Sequence, residues 1–181
     1  MTQVTIDTTN VFHKAYRSST RITCLQGGTR SSKTYSLCQL FIVKALKETG
    51  KVFTICRKTL PALKGTAYRD VLELLKELGL YSEENHNKSE LSYTLNGNLI
   101  EFISVDQPQK IRGRKRNYLW LNEANEFTYE DYQQLILRTT DKVYLDYNPS
   151  DPYSWIYDKV MTRDDCTFIK STYKANPFLD K

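Results

Sequence analysis

The sequence predicts an α/β fold, with a mainly parallel sheet, helices on both faces and an inserted β-hairpin. Three observations support this prediction. Short apolar runs, typical of strands buried on both faces, alternate with longer amphipathic segments. A loop rich in Gly, Ser and Thr separates the first apolar run from the first long helical segment. Two β-rich runs flank an Asn-Gly pair, which is a strong hairpin signal.

The elements follow one another in a regular order. Strands are expected at 22–25, 52–56, 118–121, 143–147 and 167–171, and helices at 33–49, 67–78, 129–137 and 153–161. The helix at 67–78 has one apolar face and is followed by Gly79, while Thr128 and Asp131 have the spacing of a helix N-cap. The hairpin is expected at 91–103, with its turn at 96–98. In such a sheet, ligands bind beyond the carboxyl ends of the strands.

Composition indicates a globular chain. It has 181 residues, 40% of them hydrophobic and 26% charged, which suits one α/β domain with a substantial core. The net charge of +5 permits a phosphate-rich partner without requiring one. No run is apolar and long enough to be a secretory leader or a membrane span. Metal-binding spacing is absent from the cysteines, which we expect to be buried free thiols in a reducing cytosol: Cys24, Cys38, Cys56 and Cys166.

The segment 26–34 has the spacing of a phosphate-binding loop. Its candidate nucleotide-binding residues are Gln26, Gly27, Gly28, Thr29, Arg30, Ser31, Ser32, Lys33 and Thr34. Small residues let consecutive backbone N–H groups face a triphosphate, and the following helix adds its positive dipole end. Lys33 would contact the β- and γ-phosphates, and the Thr34 hydroxyl would bind Mg²⁺. Ser32 replaces an expected glycine, which costs roughly 1 kcal/mol if φ is positive there. The alternative is a small-residue turn that binds nothing.

Two polar residues end the predicted strand at 118–121. Glu123 would orient or deprotonate an attacking water, so it is a candidate catalytic residue. Asn122 stands where an acid usually holds the Mg²⁺ shell, and its amide carries no charge. The metal site is therefore expected to comprise Thr34, Asn122 and Glu123, partly through water. The alternative is a plain acidic turn between a strand and a helix.

Two further features have open interpretations. Asn148, before Pro149 at the end of the next strand, could sense the γ-phosphate, or the pair could be an ordinary Asn-Pro turn. The basic tract 110–116 has three possible roles: a solvated face, a contact to a nucleic-acid backbone, or an arginine finger for a neighbouring subunit.

Taken together, these segments resemble the ATPase domain of the large terminase subunit of tailed bacteriophages. The loop at 27–34 is similar to the family's Walker A loop, and 120–126 to its Trp-x-acid-Glu-Ala-x-Glu signature. Further similar segments are 54–58, 111–114, Asn148-Pro149 with Trp155 and Tyr157, and 171–178. The departures from the family pattern are Ser32 and Asn122.

The resemblance implies a RecA-like sheet of the ASCE P-loop NTPase class over residues 1–181, using ATP and Mg²⁺. It implies hydrolysis that drives double-stranded DNA into a procapsid. The implied partners are the DNA, other copies of the chain in a ring (a pentamer at the portal), the portal protein and the small terminase subunit, with no membrane. The implied location is the host cytoplasm and transiently the portal vertex, not the virion structure. The family's nuclease domain, and its activity, are expected to be absent from this chain.

Carried over residue by residue, the resemblance implies the following roles. Lys33 and Glu123 are catalytic, as is Arg30, which faces the nucleotide or a partner. Arg112 is the first choice for a trans-acting finger, and Arg114 the second. Asn148 couples hydrolysis to movement. A contact to adenine by Gln26, Phe12 and Tyr16 is a weaker implication. The alternatives are a helicase-like nucleic-acid translocase and a nucleotide-binding domain without turnover.

Overall fold

A mainly parallel sheet forms the centre of the molecule. The computed structural model describes residues 4–113, 115–150 and 154–178, and within these ranges eight strands form one sheet. The strands are β1 (Ile22–Gly27), β2 (Val52–Arg57), β3 (His86–Asn87), β4 (Ser92–Leu95), β5 (Asn98–Ser104), β6 (Arg116–Asn122), β7 (Thr139–Tyr147) and β8 (Cys166–Ser171). Their order is β3-β4-β5-β2-β6-β7-β1-β8. Among the described strands, the pairs β3–β4 and β4–β5 are antiparallel and the other pairs are parallel, so the predicted sheet is confirmed.

The described helices are α1 (Asn10–Arg17), α2 (Lys33–Lys47), α3 (Leu60–Leu63), α4 (Arg69–Glu77), α5 (Pro108–Gly113) and α6 (Tyr129–Ile136). The helix expected at 67–78 begins earlier, at Leu60, and contains the π-helical turn Lys64–Tyr68. The segment expected as a helix at 153–161 forms a π-helical turn at Ile156–Val160, and residue 153 lies outside the described ranges. Neither α1 nor α5 was predicted from the sequence. None of the helices in the described ranges is long and apolar enough to cross a bilayer.

Helices cover both faces of the sheet, as predicted. One face packs Leu25, Phe53 and Trp120 against α1, α2 and α4. The other packs strand residues such as Cys24 and Leu121 against α5, α6 and the turn Ile156–Val160. Cys24 and Leu25 are neighbours in sequence and face opposite sides, because successive side chains alternate across a strand. All four cysteines are free, and of these only Cys166 is partly exposed.

The hairpin of β4 and β5 also fixes the end of α2. Its turn contains Asn96 and Gly97, both at positive φ (52° and 73°). Asn98, which was expected in the turn, is instead the first residue of β5. The Asn98 side chain is 1% exposed. Its Nδ2 donates to the carbonyls of Ala45 and Glu48 (2.7 Å each), and its Oδ1 accepts from the Lys51 N–H at 2.9 Å. Asn98 therefore satisfies carbonyls that the end of α2 leaves without helical partners.

Asn98→Ala is expected to lower the free energy of unfolding by about 1–3 kcal/mol, because the Lys51 N–H loses its acceptor and the Ala45 and Glu48 carbonyls keep only their longer hydrogen bonds from Asn96. Urea denaturation measures the change. The matched control Asn85→Ala, at an exposed position, is expected to stay within about 0.5 kcal/mol of the parent. If the two substitutions change the free energy of unfolding equally, Asn98 does not stabilise the end of α2 through these hydrogen bonds.

Candidate active site

The candidate site lies where β1, β6 and β7 end beside one another. These strands are neighbours in the order β6-β7-β1, so their carboxyl ends meet at one edge of the sheet. The loop between β1 and α2 borders a cavity of about 350 Å³ at this edge. The cavity is lined by Gly28, Thr29, Arg30, Ser31, Ser32, Lys33, Thr34, Tyr35, Asp70, Glu123, Asn148 and Asn176. The structure thus brings together most of the predicted site residues.

The loop holds a strained backbone. Arg30 (φ 63°) and Ser32 (φ 62°, ψ 8°) both adopt the left-handed region, so the positive φ on which the predicted cost at Ser32 depends is present. Gly27 is required for another reason. A Cβ atom there would lie 2.5 Å from the Ser171 carbonyl oxygen and 2.6 Å from Ser31 Oγ. The loop is consequently packed tightly against β8 at its start.

Lys33, the first residue of α2, points its ammonium group back into the loop. Nζ donates to the Gly27 carbonyl at 2.6 Å, to Ser31 Oγ at 3.2 Å and to Asn148 Oδ1 at 3.1 Å. Burial lowers the pKa of Lys33, while Asp146 and then Glu123 oppose that shift. The predicted coupling residue Asn148 is therefore in direct contact with the predicted phosphate-binding lysine.

Glu123 is half-buried at the tip of β6 and adopts the left-handed region (φ 54°, ψ 59°). Burial raises the pKa of its carboxyl group, and the negative charge of Asp146 raises it further; Arg57 and Lys33 act in the opposite direction. A carboxylate whose pKa is raised towards neutrality is a stronger proton acceptor, which suits a general base.

Asp146 of β7 is a site residue that the sequence reasoning missed. Its carboxylate is fully buried and accepts hydrogen bonds from the Thr34 hydroxyl (2.9 Å) and the Trp120 indole N–H (2.9 Å). It also accepts from Asn122 Nδ2 and from the Glu123 backbone N–H, both at 3.2 Å. The available signal was an acid within an apolar strand that ends at the same edge as Asn122.

The oxygen atoms of this cluster fit Mg²⁺. Hard cations prefer carboxylate, amide and hydroxyl oxygens, which Glu123, Asn122 and Thr34 provide. Asn122 Oδ1 is buried and has no hydrogen-bond partner among the described residues. Among the described residues there is no cluster of three or more His, Cys, Asp or Glu side chains suited to a metal.

The basic pair Arg57 and Lys58, at the end of β2, forms ion pairs with the turn and the helix that follow Glu123. Arg57 forms an ion pair with Glu126 (3.2 Å) and donates to Thr66 Oγ1 at 2.6 Å. Lys58 pairs with Asp131 at 2.7 Å. Asp131 N–H donates to Thr128 Oγ1 at 3.2 Å, and the Thr128 N–H donates back to the Asp131 carboxylate, which confirms the predicted N-cap of α6.

The segment after β8 contacts the candidate phosphate-binding loop and the start of α2. Asn176 Nδ2 donates to the Arg30 carbonyl at 2.9 Å, and the Phe178 ring packs edge-on against Tyr35 at 5.4 Å. These contacts hold the left-handed backbone at Arg30. Sequence reasoning identified this segment only by its resemblance, not by these contacts.

Other predicted residues lie apart from the cavity. Gln26 Oε1 accepts from the Tyr147 and Tyr157 hydroxyls at 3.3 and 3.2 Å, and Phe12 is buried in the core, stacked on Tyr16. A contact of these three residues to adenine stays a prediction.

Part of the basic tract 110–116 is buried in the protein interior instead of lying on the surface. Arg112 falls within α5, and Arg114 lies outside the described residues. Arg116 is buried, with NH2 donating to the Ile111 carbonyl at 3.2 Å. The solvated face is therefore wrong for this residue, because β6 carries it into the interior.

Comparison with known proteins identifies relatives. A family model described as phage terminase large subunit matches residues 19–181. The large terminase of a thermophilic bacteriophage (crystal form 2) has a TM-score of 0.84 at 17% identity, covering 97% of this chain and 48% of that one. The same phage's large terminase in complex with ADP has a TM-score of 0.79 at 19% identity, covering 97% of this chain and 48% of that one. The Thermus phage P74-26 large terminase ATPase domain has a TM-score of 0.70 at 15% identity, covering 91% of this chain and 80% of that one.

The chain spans about half the length of the thermophilic phage terminase chains that it matches. At these identities the structural similarity shows the fold, and it confirms the expected RecA-like sheet. None of the curated protein sequences compared with the chain matches it.

Ser32→Gly is expected to raise the free energy of unfolding by about 1 kcal/mol, because glycine adopts positive φ without the Cβ penalty. The substitution also removes a hydroxyl, Ser32 Oγ, that is buried without a described partner. Thermal and urea denaturation measure the change. Ser89→Gly is the control: Ser89 is exposed and outside the left-handed region, so it should gain nothing. If Ser32→Gly instead lowers the free energy of unfolding, the interpretation that Ser32 has a strained backbone is wrong.

Proposed function

Since the chain belongs to the phage terminase large subunit family, we propose that it binds and hydrolyses ATP to drive double-stranded DNA into a procapsid. One observation carries the proposal: Lys33, Asn148 and Glu123 line a single cavity at the amino end of α2. We assign this ATPase role to the whole of residues 1–181. ADP in the thermophilic phage's large terminase supports the class of ligand.

The triphosphate would lie against the loop and the first turn of α2. The N–H groups of a helix N-terminus and the helix dipole favour an anion at that position. Lys33 would exchange its contacts with the Gly27 carbonyl and Ser31 Oγ for the β- and γ-phosphate oxygens. Asn148 already contacts Lys33, so it would lie near the γ-phosphate and respond to its loss.

Glu123 would position the attacking water and accept its proton. Its raised pKa increases its basicity, and it lines the cavity. Mg²⁺, when bound, would neutralise developing charge on the phosphates. Thr34 and Asn122 would hold the ion, with Glu123 acting through water.

A ring of copies is part of the proposal, with Arg112 as the trans-acting finger. α5 contacts β5, and three strands (β2, β6 and β7) separate β5 from β1. At about 4.8 Å per strand this is roughly 19 Å, which favours a neighbour's loop over the chain's own. Arg30 and Arg114 are the other candidates.

The remaining assignments follow from the family. We propose a pentamer at the portal vertex that contacts DNA, the portal protein and the small terminase subunit, in the host cytoplasm. The positive net charge of +5 is compatible with DNA. A nucleotide-binding domain without turnover is a second candidate, favoured by the uncharged Asn122.

Lys33→Ala is expected to abolish nucleotide binding, whereas Glu123→Gln should retain binding and lose hydrolysis by roughly 10²- to 10⁴-fold. The first substitution removes the phosphate contact, and the second removes only the proton acceptor. Calorimetric titration with ATP and Mg²⁺ and a phosphate-release assay separate the two effects.

Matched controls are Lys47→Ala, at the exposed end of α2, and Glu130→Gln, in the exposed first turn of α6. Both should keep parental binding and turnover. Unchanged hydrolysis in Lys33→Ala or Glu123→Gln would refute the assignment. Binding without turnover in the parent would favour the non-catalytic candidate.

Mixing the Lys33→Ala and Arg112→Ala variants should restore hydrolysis that neither shows alone. In a mixed assembly, Arg112 of a Lys33→Ala copy can complete the site of an Arg112→Ala neighbour, and a finger contributes roughly a thousandfold or more. Phosphate release at equal total protein measures the recovery. Arg163→Ala, exposed before β8, is the control and should be active alone. Full activity of Arg112→Ala by itself, or no recovery on mixing, would exclude Arg112 as the finger.

A further inference from the structure

The carboxylate missing at Asn122 is present on the adjacent strand. Asn122 ends β6 where the family signature has an acid, and its Cα pairs in register with that of Asp146 on β7. Asp146 in turn pairs with Leu25 of β1, so it lies between β6 and the strand that leads into the phosphate-binding loop. Amide and carboxylate thus occupy neighbouring positions at one edge of the sheet.

Asp146 fixes the direction of the Thr34 hydroxyl. The Thr34 hydroxyl donates a hydrogen bond to Asp146 Oδ2 at 2.9 Å. A hydroxyl has one proton and two lone pairs, so a hydroxyl that donates to a carboxylate keeps its lone pairs for a cation. Asn122 Nδ2 donates to both Asp146 oxygens at 3.2 Å, which fixes the orientation of that carboxylate.

The Asp146 carboxylate is buried without a cation of the described residues in direct contact. Within the described part of the chain no Lys or Arg side chain forms an ion pair with it. Lys33 interacts with Asp146 only through space, because its ammonium group is bound to the Gly27 carbonyl, Ser31 and Asn148. Buried charges are normally paired or coordinate metals. Asn122, 1% exposed, also presents a buried Oδ1 without a described hydrogen-bond partner. Both observations indicate a cation close to Thr34.

We propose that Asp146 is the positioning residue for Mg²⁺ in this chain, replacing the acid that Asn122 lacks. It holds the Thr34 hydroxyl with its oxygen directed at the ion and supplies the compensating negative charge. This inference rests on the proposed ATP site, but it concerns the metal rather than the nucleotide. The competing interpretation is a structural one, in which Asp146 only joins Trp120, Asn122 and the Glu123 backbone.

The test compares the affinity for ATP-γ-S in MgCl₂ with that in EDTA, measured by calorimetry. In the parent, Mg²⁺ should strengthen binding. In Asp146→Asn that Mg²⁺ effect should fall by about 10- to 100-fold, with affinity in EDTA unchanged. Exchanging the two groups, in Asn122→Asp/Asp146→Asn, should recover part of the effect because the carboxylate returns to the same pair of strands. Asp141→Asn, a control on β7 whose carboxylate pairs with Lys51, should behave as the parent.

The titrations distinguish failure of the Asp146 inference from failure of the proposed ATP site. An undiminished Mg²⁺ effect in Asp146→Asn, or an equal loss with and without Mg²⁺, would overturn the inference and leave the ATP site standing. If Asp146→Asn does not fold, the exchanged variant decides: a folded protein without any Mg²⁺ effect overturns the inference, and recovery supports it. A parent that binds no ATP-γ-S overturns the proposed function, and this inference with it.

Discussion

The hydrogen bonds of the buried Asp146 carboxylate determine the geometry of the site. They join three parts of the molecule: the first turn of α2 through Thr34, the tip of β6 through Asn122 and the Glu123 backbone, and the core through Trp120. Because a buried carboxylate must keep its donors, none of these parts can shift independently. The relative position of the candidate phosphate-binding loop and the candidate base therefore depends on one side chain in a central strand.

Strain accompanies this arrangement. Arg30, Ser32 and Glu123 all have left-handed backbones, and such conformations persist only where surrounding contacts impose them. The contacts are present: Ser171 is packed against Gly27, and Asn176 binds the Arg30 carbonyl. The far end of α2 is fixed by Asn98. A loop that is held in shape before its ligand arrives loses less conformational freedom on binding, which favours affinity.

Sequence reasoning predicted what depends on local pattern. The parallel strands, α2, the hairpin and the N-cap at Thr128 all follow from periodicity and turn chemistry, as does the proximity of Lys33, Glu123 and Asn148 at one edge. It missed features that depend on three-dimensional packing. Asp146 is one acid within an apolar run, and only strand order places it beside Asn122 and Thr34. Arg116 belongs to a basic tract, yet β6 buries it. Likewise, nothing local predicts that Asn176 contacts Arg30.

In the proposed function, Lys33 exchanges its contacts within the loop for contacts with a triphosphate. A crystal structure of the chain with ATP-γ-S and Mn²⁺ would show this exchange. We expect Lys33 Nζ on the β- and γ-phosphates, Asn148 beside the γ-phosphate, and the anomalous Mn²⁺ peak at Thr34 Oγ1, whose hydroxyl still donates to Asp146. A nucleotide bound elsewhere, with Lys33 still on the Gly27 carbonyl and no metal at Thr34, would contradict it.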